Sequence, residues 1–151
     1  MQKFHFKLNG LLKVREFKEK RIKIELGEIL KEITKVEGEI EKMNQDIDET
    51  YKAQEDLMKD PAAGKMIQFF PYFIQGKKEH IKVKENELYG LRKKYERKVT
   101  ELAEARGEVK ILENFKDKKK TEWRKEYDKK IQEDMEEFVM LRQNSKNDVG
   151  Y

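Results

Sequence analysis

The sequence predicts an all-α fold, a long antiparallel two-helix coiled-coil hairpin, on three observations. Apolar residues step by three and four through Ile22, Leu26, Ile29, Ile33, Val36, Ile40, Met43 and Ile47, which places them on one stripe of a helix. A second comb steps by seven through Ile74, Ile81, Leu88, Tyr95, Leu102 and Val109, and reaches Trp123 after a polar lapse at Lys116. Between the combs stand the chain's two prolines, Pro61 and Pro71. Two seams and one break describe a hairpin.

Helix one is expected over about residues 4–58. Asp60-Pro61-Ala62-Ala63-Gly64 ends it, because proline disfavours helical geometry in the residue before it and glycine permits a turn. The bend is expected over about 59–72, helix two over about 72–141 and a tail over 142–151, the whole forming a single hairpin domain. At 1.5 Å per residue the arms measure roughly 80 Å and roughly 105 Å. Folding about residues 65 and 66 pairs positions whose numbers total about 131, so that Val36 meets Tyr95, Met43 meets Leu88 and Leu8 meets Trp123. On this register Ile131, Met135, Phe138 and Leu141 lie beyond the cover of helix one and form an exposed docking stripe.

Composition limits the function classes. Of 151 residues, 44% are charged and 36% hydrophobic, too little apolar matter for a compact core, yet the apolar period argues against disorder. Cysteine is absent, which removes thiolate chemistry and the usual structural zinc sites and suits a reducing compartment. No apolar run approaches the roughly 18 residues of a membrane span, and Lys and Phe alternate near Met1 where a signal peptide would be uniformly apolar. A cytoplasmic protein without membrane insertion is expected.

Chemistry is sparse. His5 and His80, the two histidines, fall at opposite ends of the hairpin and cannot form a metal site or a dyad. There is no phosphate-binding glycine loop and no nucleophile elbow. The carboxylates alternate with Lys and Arg at helical spacing, as surface ion pairs do. No enzyme activity, cofactor or metal is expected. Acidic residues interleave the basic cluster at Lys116 to Lys120, which argues against nucleic acid as a partner.

Docking residues remain. The 35 basic and 31 acidic residues are unevenly spread: Lys13, Arg15, Lys18, Lys20, Arg21 and Lys23 oppose only Glu16 and Glu19, which makes the end opposite the bend basic. The aromatics Phe4 and Phe6, with Leu8, either close that end against Trp123 and Tyr127 or enter a partner. At the bend, Phe69, Phe70, Tyr72 and Phe73 exceed what a two-helix tip can bury.

The opening Phe4-x-Phe6-x-Leu8-x-x-Leu11-Leu12-x-x-Arg15-x-x-Lys18-Glu19 resembles the flagellar export family FliJ, as do Phe73-Ile74-Gln75 and Asp134-x-x-Glu137-Phe138. The resemblance implies a hairpin like the central stalk of rotary ATPases, working as a non-enzymatic adaptor of the flagellar type III export apparatus at the basal body. It implies that the end opposite the bend enters a hexameric export ATPase. Phe4, Phe6, Leu8, Arg15, Lys18, Arg21, Ile131, Met135, Phe138 and Leu141 are the residues expected there. It implies that the bend meets the cytoplasmic domain of the export-gate membrane protein and export chaperones. Phe73 and Tyr51 match that surface, and Phe70 and His80 adjoin it. A stalk of a virulence secretion system, or a general coiled-coil scaffold, is the alternative.

Overall fold

A computed structural model describes residues 2–150 and contains helices and no strands among them. Helix α1 spans Asn9–Met58, a 3-10 turn Pro61–Ala63 follows, then the one-turn helix α2, Gly64–Ile67, and helix α3, Phe70–Asp148. The fold is an all-α helical hairpin. The chain divides into two compact units: residues 20–104, and residues 1–19 with 105–151.

In the unit of residues 20–104, α1 and α3 run antiparallel, because partners on α3 fall in number as those on α1 rise. Glu25 pairs with Lys98 at 2.6 Å, Glu37 with Arg92 at 3.1 Å, Glu39 with Lys84 at 2.9 Å and Asp46 with Lys77 at 3.3 Å. Between these flanking charges, Ile29, Ile33, Val36 and Leu88 form one buried cluster, with Ile40, Leu91 and Tyr95 packed against it. Met43, Ile47, Ile74 and Ile81 form a second.

These partners correct the expected register. Val36 clusters with Leu88, and Met43 with Ile81 where Leu88 was expected. Paired numbers total about 124, one heptad below the expected 131. A slip of seven residues keeps every seam residue inward and changes only its partner, so the periodicity of the two seams is blind to it. The bend decides it. Asp60 closes the turn by accepting the Ala62 N–H at 3.0 Å, with Pro61 in the first position, where no N–H is required. Pro71 likewise falls in the first turn of α3, which therefore starts before it.

In the other unit, the segment ahead of α1 is extended up to a turn at Lys7 and Leu8, so α1 starts later than expected. Extended chain rises about 3.3 Å per residue against 1.5 Å in a helix. Five such residues, 2–6, cover roughly 17 Å of α3, about eleven helical residues. Asn9 accepts from Lys116 at 3.4 Å, and Gln2 lies beside Tyr127, Lys130 and Ile131. The far end of α3 also differs from expectation: residues 142–148 are helical. Asn144 and Ser145 are weaker helix formers, but neither glycine nor proline stands between 142 and 148 to stop the helix.

The cross-helix pairs set charge states in the unit of residues 20–104. A hydrogen bond from Lys98 holds the Glu25 carboxyl below its ordinary 4.5, against a partial desolvation, and Lys84 does the same for Glu39. The hydrogen bonds from Lys98 to Glu25 and from Lys84 to Glu39 in turn hold both ammonium groups above 10.5. The carboxylates therefore add stability above pH 4.5 that is lost as pH falls through their lowered folded values. The lysines add stability below pH 10.5 that is lost as pH rises through their raised values. The double variant Lys84→Met, Lys98→Met is expected to flatten the acid limb of a plot of urea midpoint against pH, and an unchanged limb would refute this. High salt should shrink the difference, since the pairs are solvent-accessible.

Candidate protein-docking surfaces

The first surface lies in the unit of residues 1–19 and 105–151. Its extended segment alternates faces, as period-two chain does. Phe6 goes inward, 5% exposed, with its ring 5.8 Å from Phe115, and Phe4 tilts against Trp123 at 6.0 Å. Trp123 stacks on Tyr127 at 5.1 Å. Phe4, where Leu8 was expected, is thus the residue that meets the Trp123 ring, and Phe6 is committed to internal packing. Leu8 stays partly exposed on the rim of a hollow lined by Phe4, His5, Phe115, Lys119 and Trp123.

On α1 of this unit, the Arg15 guanidinium donates to Glu108 at 2.8 Å, and Lys18 lies 3.8 Å from the same carboxylate. Arg106 donates to Glu19 at 3.2 Å. Arg15 and Lys18 are therefore both docking candidates and internal clamps. The sequence reading missed Glu108, although opposite charges across the two helices are detectable once the register is known. It also missed Phe17 and Ile111, exposed apolar residues outside the seam spacing. Arg21 belongs to the unit of residues 20–104 and reaches Glu25 along its own helix at 3.9 Å.

Further along α3, Ile131 is half-buried and every residue from 132 to 150 is exposed. Met135, Phe138 and Leu141 stand in solvent as expected, joined by Val139 and Met140. Phe138 keeps 66% of its surface open, a large amount for a phenyl ring with nothing against it.

The second surface is the bend, in the unit of residues 20–104. Ala63 and Ile74 are buried and anchor it, while Met58, Met66, Phe69 and Tyr72 are exposed. Phe73 is 48% exposed with the Lys77 ammonium 5.5 Å above its ring. Phe70 is half-buried, and it shares with Phe73 a shallow groove lined on α1 by Asp46, Glu49, Thr50 and Ala53. Tyr51 and His80 are exposed.

Among the described residues there is no cluster of His, Cys, Asp or Glu able to hold a metal ion, and no helix long and apolar enough to cross a membrane. What the chain offers is surface: apolar patches on paired helices, the equipment of a protein that works by contact. A family model described as "Flagellar FliJ protein" matches residues 4–148, nearly the whole chain. The chain belongs to the flagellar FliJ family, a family of non-enzymatic components of the flagellar export apparatus. No curated protein and no solved structure matches it.

Proposed function

We propose that this FliJ-family chain is a cytoplasmic stalk and adaptor that joins the hexameric export ATPase to the export gate. In this reading Leu8, Arg15, Lys18, Met135, Phe138 and Leu141 engage the ATPase, with Phe4 and Phe6 shaping the surface from within. Tyr51, Phe70, Phe73 and His80 engage the cytoplasmic domain of the gate protein and export chaperones. The exposed apolar face of α3 over residues 132–148 carries the reading, because a face of that size calls for a cover. The aromatic bend supports the second contact. The mechanism is positional: the paired helices hold two docking surfaces on one chain and need no chemistry of their own.

The test is ATP hydrolysis by the purified flagellar export ATPase with and without the chain. Stimulation is expected, and Arg15→Glu is expected to lose it. Because Arg15 also holds Glu108, the charge exchange Arg15→Glu with Glu108→Arg is the decisive companion. It restores the internal pair and leaves the partner facing the wrong charge. Stimulation still lost in the exchange supports contact with the ATPase, whereas stimulation regained assigns Arg15 to the clamp alone. No binding and no stimulation by the unaltered chain would leave the scaffold reading.

A further inference from the structure

The face of α3 beyond Ile131 has a charge order of its own. Glu133, Asp134, Glu136 and Glu137 precede Phe138, and Arg142 and Lys146 follow it. The stripe continues the side of α3 on which Trp123, Tyr127 and Ile131 are half-buried. One groove along it is lined by Ile131, Asp134, Met135, Phe138 and Val139, and the next by Phe138, Val139, Arg142, Gln143 and Lys146. Among the described residues, Asp134, Arg142 and Lys146 make no ion pair.

A helix that is acidic on one side of an apolar centre and basic on the other complements itself when turned end for end. We propose that a second copy of this chain covers this face, antiparallel, with Phe138 near the two-fold axis. Position 134 of each copy then faces position 142 of the other, which sets Asp134 against Arg142 twice, and Met135 meets Leu141. A parallel pairing would align acid with acid and base with base. The covered stretch is short, roughly 25 Å of helix, so the pair is reversible and dissociates on dilution. It uses the face that the export reading gives to the ATPase, which makes self-pairing and ATPase contact mutually exclusive. The inference itself stands without that reading, since it concerns the chain alone.

Sedimentation velocity over a concentration series of the full chain tests it. The unaltered chain is expected to pass from monomer to dimer. Asp134→Arg places Arg opposite Arg, and Arg142→Asp places Asp opposite Asp, so each alone is expected to weaken the dimer by about tenfold or more. Their equimolar mixture is expected to recover it as a heterodimer, because every facing pair is again opposite in sign. Phe138→Asp is expected to remain monomeric at every concentration. All three positions are exposed on a helix, and helicity measured by circular dichroism should be unchanged. A monomer throughout the series, or single variants that dimerise like the unaltered chain, would overturn the proposal. A mixture that fails to recover the dimer would overturn the antiparallel register.

Discussion

Replacing Gly27, Gly38 and Gly90 together by alanine is expected to raise unfolding stability by about 3 kcal/mol, at about 1 kcal/mol for each glycine removed from a helix interior. All three lie within α1 or α3, and a Cβ added at each meets nothing within 4 Å. None has a positive φ, so alanine fits the existing backbone and the gain comes from restricting the unfolded chain. The three sites share no contacts through the new methyl groups, so their effects should add. A urea titration followed by circular dichroism measures the shift. No gain would mean that the helices bend at these glycines or that the unfolded chain already holds them helical. A second readout makes the variant informative about function. If the stabilised chain stimulates the export ATPase less, the glycines are kept for flexibility that the activity uses, at the expense of stability.

The seams were legible because their signal is local. Ile29, Ile33, Val36 and Met43 on one helix and Ile74, Ile81 and Leu88 on the other are buried as their spacing requires. Pairing between helices was not legible to within one heptad, because a seven-residue slip preserves the apolar pattern, and the compact bend of Pro61–Ala63 and α2 selects among the alternatives. The charges favour the same choice: Glu25 with Lys98 and Glu39 with Lys84 are opposite-sign pairs flanking the seam. Ala105 is the most deeply buried seam residue, 1% exposed, yet a methyl group carries too little apolar signal to mark the position in sequence. Residues 4–8 lie in the expected helix one but are not helical; Phe4 and Phe6 are two apart, a spacing that belongs to extended chain and signals the difference. Of the docking surfaces, the solvent-exposed stripe at Met135, Phe138 and Leu141 followed from counting where cover runs out. That Arg15 and Lys18 face Glu108 required the fold.

Ending the chain after Ile131 is expected to abolish binding to the export ATPase while leaving the rest of the fold in place. The structural half of this expectation rests on exposure: every residue from 132 to 150 is exposed, and the pairing of Phe4 with Trp123 and of Phe6 with Phe115 lies outside the deleted stretch. Helicity should fall only by the residues removed, and the urea midpoint of the remainder should stay where it was. The binding half rests on Met135, Phe138 and Leu141, whose burial in a partner is worth about 1.5–3 kcal/mol for each side chain. Even after the cost of ordering them, their joint loss should weaken binding by on the order of 100-fold or more. Isothermal titration against the ATPase measures it. Binding retained by the shortened chain would move the contact to Arg15, Lys18 and the aromatic hollow. Binding lost together with a collapsed urea midpoint would instead show that residues 132–148 support the fold. Phe138→Asp separates the two, since it removes the apolar centre of the face and leaves the helix that carries it.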